Sequence, residues 1–178
     1  MTTKTFGGPA VLLDRSDINT DEIIPAKYLT EISKKALAPH LLEDLKLEGG
    51  DFPRRNERLA GARVLVTRAN FGCGSSREHA VWALEANGIE VVLAESFARI
   101  FRQNMFNCGI LAIELPAADI EAIFRLAEPV QIGIDLGRGE VTASGANGTP
   151  ISSRFSLNPF DFQLVEAGGW LAFAEQKY

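Results

Sequence analysis

Between Ala62 and Leu115 the chain alternates three short apolar runs with two stretches of helical periodicity, and few architectures accept that alternation. Ala62-Arg63-Val64-Leu65-Val66-Thr67, Ile89 to Ala94 and Ile110 to Leu115 have strand length. They are nearly continuous in apolar residues, as strands buried on both faces are. Ser76 to Asn87 reads as a helix stopped at Gly88, and Phe97 to Asn107 as a second one ending near Gly109. The order is β-α-β-α-β, so the strands are expected to run parallel, with the helices as crossovers.

The flanks add to this centre. Residues 9–14, Pro-Ala-Val-Leu-Leu-Asp, predict a strand that ends in the polar, turn-rich stretch 15–21. Lys27 to Ala38 predicts a short helix stopped by Pro39, and residues 39–61, rich in charge, Gly and Pro, predict an irregular excursion. Pro116 stands at a helix start, with Ile120, Ile123, Phe124 and Ala127 spaced along one face. Residues 130–157 are short segments broken by Gly and Pro, which predict antiparallel strands, and the last twenty residues read as helix interrupted at Gly168-Gly169. No repeat, low-complexity tract or linker divides the chain. The expected fold is α/β, one domain over residues 1–178 with a parallel central sheet and a smaller antiparallel sheet.

Composition excludes several roles. With 46% hydrophobic and 23% charged residues over 178 positions the chain can bury a core. A net charge of −5 opposes nucleic acid or an anionic membrane as partner. The N-terminal residues lack the apolar centre of a signal peptide, and no run approaches the roughly 20 residues that span a bilayer, so a soluble, cytoplasmic protein is expected. Only two cysteines occur, Cys73 and Cys108, far apart and without Cys-x-x-Cys spacing. Neither a disulfide framework nor structural zinc is expected, no metal ligand is assigned, and an iron–sulfur cluster, which takes several thiolates, could not be held by this chain unaided.

The candidate site is the connection Asn70-Phe71-Gly72-Cys73-Gly74-Ser75-Ser76-Arg77, which leaves a strand end and enters a helix, where ligands of parallel sheets gather. Gly72 and Gly74 permit left-handed backbone, the helix start offers unpaired N–H groups, and Arg77 can grip a carboxylate through two hydrogen bonds. Two other readings stay open. Ser75 with Glu78 forms the pattern of a capping box, a purely structural device. Ser75 and His79, one helical turn apart, could serve a Ser/His hydrolase. A P-loop lacks its Lys here, and Gly-x-Ser-x-Gly is not formed.

The string Asn70 to Ala80 resembles the signature of the aconitase superfamily's swivelling domain. Two further blocks agree in order: Asp17-Ile18-Asn19-Thr20-Asp21-Glu22-Ile23-Ile24-Pro25, and Ser96-Phe97-Ala98-Arg99-Ile100-Phe101 with Asn104, Asn107 and Gly109. In size and free-standing start the chain is similar to the small subunits of the 3-isopropylmalate dehydratase branch, rather than to the fused domain of aconitase. The resemblance implies a swivelling β/β/α three-layer domain and a hydro-lyase that dehydrates and rehydrates a small hydroxy-dicarboxylate in leucine biosynthesis. It also implies a large partner subunit that carries a [4Fe–4S] cluster, with no cofactor bound by this chain. Ser75 then corresponds to the base, Ser76 and Arg77 to carboxylate binders, and Asp21 to an acid that orients an active-site side chain. Pro25 to Thr30 matches the loop that reads the substrate's variable group, with Ile24, Tyr28, Leu29 and Thr30 as expected lining. Relatives acting on homoaconitate resemble one another in placing Arg where Thr30 stands. No Arg lies between Arg15 and Arg54 here, which favours 2-isopropylmalate over homoaconitate; citramalate and dimethylmalate stay open. Cys73 is expected to pack beside the site, and Glu22 and Lys27 to be solvated.

Overall fold

The computed structural model describes residues 6–47, 50–51, 59–75 and 77–178. In chain order, β1 (Phe6–Leu12) is followed by the one-turn helix α1 (Thr20–Ile23), a 3-10 turn at Ala26–Tyr28, the one-turn helix α2 (Lys34–Leu37), a 3-10 turn at Ala38–His40, and the two-residue strands β2 (Lys46–Leu47) and β3 (Gly50–Asp51). The centre comprises β4 (Val64–Val66), α3 (Glu78–Ala86), β5 (Val91–Ala94), α4 (Arg99–Asn107), β6 (Leu111–Glu114) and α5 (Ala117–Phe124). The chain closes with β7 (Val130–Asp135), β8 (Glu140–Ser144), β9 (Ile151–Arg154), α6 (Pro159–Ala167) and α7 (Trp170–Lys177).

The apolar runs form the parallel strands expected of them. Every residue of β4 and β5 is fully buried, which is possible only with both faces of the sheet covered. The sheet order is β6-β5-β4-β1-β7-β8-β9. The first four strands are parallel, and β1 is the seam. One edge of β1 pairs with β4 in parallel and the other with β7 in the opposite sense, so the antiparallel strands β7, β8 and β9 continue the central sheet. The α/β class holds, with the parallel and antiparallel parts hydrogen-bonded into one seven-stranded sheet. No helix among the described residues is long and apolar enough to cross a membrane.

Local departures from the sequence reading have physical causes. The helix expected over Lys27 to Ala38 is broken into separate turns. Leu37 is buried there while Ile32 is 95% exposed, so no continuous apolar stripe exists to hold a longer helix on the core. The helix expected from Ser76 starts instead at Glu78, and the one expected from Phe97 starts at Arg99, because Phe71 and Phe97 are held in a strand-like bridge. Within the excursion, Leu41, Leu42 and Leu45 are buried, and Leu42 N–H donates to the Ile23 carbonyl at 2.8 Å, which ties this stretch under α1. Residues 48, 49 and 52–58 of the expected excursion lie outside the described residues.

The burial of Leu45 predicts that Leu45→Ala lowers stability by about 2–5 kcal/mol through lost contacts and an unfilled cavity. Denaturant unfolding of the variant measures this, and an unchanged midpoint would show that the 39–47 stretch is not part of the core.

Candidate active site

Past the carboxyl ends of β1, β4 and β5 the three main chains stay in step as they leave the sheet. Asp17 N–H donates to the Ala69 carbonyl at 2.9 Å, Gly72 N–H to Ile18 at 2.8 Å, and Thr20 N–H to Cys73 at 2.9 Å. On the other side Phe71 N–H donates to Ser96 at 3.2 Å and Ala98 N–H to Phe71 at 2.9 Å. The glycine-rich loop is thereby laced between its two neighbours. Asp17 and Asn70 both take the left-handed backbone that Asp and Asn tolerate best among residues with a side chain, and Asn70 Nδ2 donates to Asp17 Oδ1 at 2.9 Å.

Gly72 lets this loop lie down on α4. Its φ is +83°, and a Cβ at that position would meet the Phe101 ring at 2.1 Å. Phe101 is buried and packs edge-to-face on Phe71, with ring centres 5.6 Å apart. Beyond Gly74 the chain rises to Ser75, which is exposed. The buried Thr20 hydroxyl donates to the Ser75 carbonyl at 2.8 Å, anchoring the tip by its backbone and leaving the Ser75 side chain out of that contact. Ser76 lies outside the described residues.

Arg77 is positioned from α1. Its Nη1 donates to Asp21 Oδ1 in an ion pair, with the Arg77 side chain 20% and the Asp21 side chain 60% exposed. A guanidinium carries five donors, so one carboxylate does not exhaust it. α1 itself is fixed by a capping box: Asn19 Oδ1 accepts from Glu22 N–H at 2.9 Å, and Asn19 N–H donates to Glu22 Oε1 at 3.3 Å. Glu22 is in turn gripped by both terminal nitrogens of Arg15, whose guanidinium also donates to the carbonyls of Lys46 at 2.9 Å and Asp17 at 3.0 Å. The reading of Glu22 as a solvated charge is therefore corrected. Burial pushes its carboxyl up, but the Arg15 hydrogen bonds, the Asn19 N–H and the Arg15 charge outweigh this and hold it below the usual carboxylate range. Arg15 and Thr20 were missed by sequence reasoning, although Asn19 followed three residues later by Glu22 is a recognisable cap pattern.

Other sequence-derived assignments fall differently. Ile24 is fully buried in the core. Tyr28 stacks on His40 at 3.8 Å, and the hydrogen bond to Glu43 raises its phenol. Leu29 is half-buried and Thr30 exposed. Lys27 is exposed, its ammonium 5.3 Å from the Tyr28 ring centre. The Ser75–Glu78 capping box does not form, since Arg77 is the cap residue of α3 and has no side-chain cap bond. His79 Nε2 lies 3.0 Å from the Glu31 carbonyl and its ring 4.6 Å from that of Trp82. With α3 starting at Glu78, Ser75 and His79 do not share a helix face, and the Ser/His hydrolase reading loses its geometry.

Among the described residues no group of three or more His, Cys, Asp or Glu side chains is gathered as a metal ion would need. Burial raises the Cys73 thiol and pushes Cys108 up to about 12. Two cysteines are fewer than the several thiolates an iron–sulfur cluster takes. Beside the loop lies an open cleft of about 640 Å³ bordered by Gly72 and Gly74 on one side and the first turns of α4 on the other.

Residues 3–118 match the aconitase C-terminal domain. The chain belongs to this family. Among its relatives, a 3-isopropylmalate dehydratase small subunit from Dechloromonas aromatica is 43% identical over 175 residues, covering 89% of this chain and 80% of that protein. The small subunit from Zymomonas mobilis is 41% identical over 160 residues, covering 88% and 79%. The crystal structure of a 3-isopropylmalate dehydratase from Methanocaldococcus jannaschii superposes with a TM-score of 0.78 at 30% identity, over 98% of this chain and 95% of that one. The aconitase-family fold is thus present along nearly the whole chain.

Two predictions follow from the geometry. Gly72→Ala forces Phe101 to move and strains the backbone, so the variant loses thermal stability and, in the assembled enzyme, activity; wild-type behaviour in both assays would contradict the close packing. The Glu22 carboxyl titrates below its ordinary value in the folded state, so its contribution is fully present above the unfolded pKa and is lost as pH falls through the lower folded value. Acid unfolding curves of Glu22→Gln should accordingly be flatter below about pH 4.5 than those of the wild type.

Proposed function

We propose that this chain is the small subunit of a 3-isopropylmalate dehydratase, a hydro-lyase that interconverts 2- and 3-isopropylmalate through loss and re-addition of water, and that it works in the cytoplasm with a large subunit. The observation that carries this reading is the exposed Ser75 at the tip of a rigidly laced loop, two residues from an Arg77 that Asp21 holds in place.

Ser75 takes the proton on the carbon next to a substrate carboxylate and returns it on rehydration. A hydroxyl is a weak base at its ordinary pKa, so neighbouring positive charge has to stabilise its alkoxide, and Arg77 supplies that charge. The same guanidinium, with Ser76, binds the carboxylate on which negative charge grows as the proton leaves. Asp21 keeps the Arg77 side chain from collapsing elsewhere before substrate arrives. The remaining metal half of the site is assigned to the large subunit, whose [4Fe–4S] cluster supplies the Lewis acid toward the leaving hydroxyl.

The variable group of the substrate meets Leu29, Tyr28 and Thr30. An additional carboxylate would need a cationic partner there, and Lys27 instead lies beside the Tyr28 ring, so an isopropyl group fits this wall better than a third carboxylate. Citramalate or dimethylmalate remain as alternative substrates, since a methylene is worth only about 1–3 kcal/mol of discrimination.

In the complex with the large subunit, Ser75→Ala should lower turnover by about 10²–10⁴-fold while co-purifying normally. Turnover near that of the wild type would remove Ser75 as the base.

A further inference from the structure

Resting on the dehydratase reading and its assignment of Tyr28, Leu29 and Thr30 to the substrate's variable group, we propose that Glu43 and His40 are positioning residues for substrate selection. They fix that wall through the Tyr28 ring and touch no substrate themselves.

The wall has little to hold it in place on its own. It is built on the 3-10 turn Ala26–Tyr28, which is capped by Pro25, a residue without a polar side chain, and is followed by the exposed Thr30, Glu31 and Ile32. A turn of this length has almost no intrinsic stability. Its exit is tied down at the Glu31 carbonyl, 3.0 Å from His79 Nε2; between Pro25 and that point, Tyr28 is the residue that is gripped. The Tyr28 ring stacks flat on His40, with ring centres 3.8 Å apart and planes 16° from parallel. Its phenol donates to the Glu43 carboxylate, a contact that also raises the phenol. Only 7% of the Glu43 side chain is exposed. A carboxylate withdrawn that far from water is costly unless hydrogen bonds replace its hydration. It stands among the buried Leu41, Leu42 and Leu45, and it faces the Tyr28 phenol and, at 3.8 Å, His40 Nδ1.

The mount for these two residues is rigid. Glu43 N–H donates to the His40 carbonyl at 3.2 Å, a tight turn that sets their side chains next to each other. Leu42 N–H donates to the Ile23 carbonyl at 2.8 Å, and Asn87 Nδ2 bridges the Ala38 and Ala83 carbonyls at 2.9 and 2.8 Å. The stretch is thereby tied to α1, which carries Asp21, and to the end of α3, whose cap residue is Arg77. An apolar wall selects one methylene by only about 10–200-fold, and only while it stays in place. A turn free to shift would close on a smaller substituent or yield to a larger one. Glu43 and His40 remove that freedom.

The test is kcat and KM of the assembled two-subunit enzyme with 2-isopropylmalate and with citramalate, compared as the ratio of the two kcat/KM values. Tyr28→Phe and Glu43→Leu should each lower that ratio at least about 5-fold, through a raised KM for isopropylmalate with kcat within about 2-fold. Glu43→Gln still offers the phenol an acceptor and His40→Phe keeps the stack, so both should retain the wild-type ratio, whereas His40→Ala should lower it. The double variant Tyr28→Phe/Glu43→Leu should be no worse than either single one, because both break the same contact. Val141→Ala, which opens a cavity at a buried position of β8, should cost stability and leave the ratio unchanged. A wild-type ratio in Tyr28→Phe overturns the proposal, as do additive effects in the double variant or an equal loss of ratio in Val141→Ala. A fall in kcat with the ratio unchanged also overturns it and makes the cluster structural only. Tyr28→Phe removes a single oxygen and carries the test if Glu43→Leu does not fold. If the wild-type chain with its large subunit converts neither substrate, the dehydratase reading itself fails, and the positioning role fails with it.

Discussion

The site depends on main-chain hydrogen bonds that continue beyond the sheet. Three parallel strands end together, and their chains then stay paired for several residues through Asp17 to Ala69, Gly72 to Ile18, Thr20 to Cys73 and Ala98 to Phe71. A glycine-rich loop would ordinarily be the most mobile part of such a fold, because glycine loses the most conformational freedom on ordering. Lacing it on both sides supplies the enthalpy that offsets this loss. Asp17 and Asn70, both in left-handed conformation, hydrogen-bond each other at the base of the lacing, where a turn of both chains is needed.

From this base a second set of contacts carries position outward. Arg15 grips Glu22, Glu22 and Asn19 cap α1, α1 carries Asp21, and Asp21 pairs with Arg77. A helix of one turn has almost no stability of its own, since nucleation is unfavourable and few bonds follow it. The cap and the bidentate ion pair are what make α1 a rigid mount for Asp21. The Thr20 hydroxyl, buried and bonded to the Ser75 carbonyl, ties the same helix to the tip of the loop. Ser75 and Arg77 are thereby referred to one small frame.

Much of the architecture was legible because it rests on periodicity. The continuous apolar runs at Val64, Val91 and Leu111 announce buried parallel strands, and the helix breaks at Gly88 and Gly168 lie where the sequence puts them. What was not legible depends on tertiary contacts. Ser75 to Glu78 has the pattern of a cap, but Arg77 takes extended backbone as the cap residue and α3 begins only at Glu78. That Ile24 is fully buried depends on the packing around α1, which the sequence beside Pro25 does not show. Glu22 reads as a surface charge until Arg15, seven residues away, is seen to enclose it. The excursion after Pro39 looks irregular by composition, while Leu41, Leu42 and Leu45 bury themselves beside α1. In each case the sequence shows the residue type and the fold chooses its partner.

The central proposal is a division of labour, in which Ser75 and Arg77 form one half of a dehydratase site and a large subunit supplies the Lewis acid. It is tested most directly by combining the purified chain with its large subunit under anaerobic conditions and assaying 2-isopropylmalate, citramalate, dimethylmalate and homoaconitate, with each subunit alone as reference. The account predicts isomerisation of 2-isopropylmalate that requires both chains and saturates as they reach equal concentration. Activity from this chain alone, or a combined preparation that ignores isopropylmalate and converts homoaconitate, would contradict it.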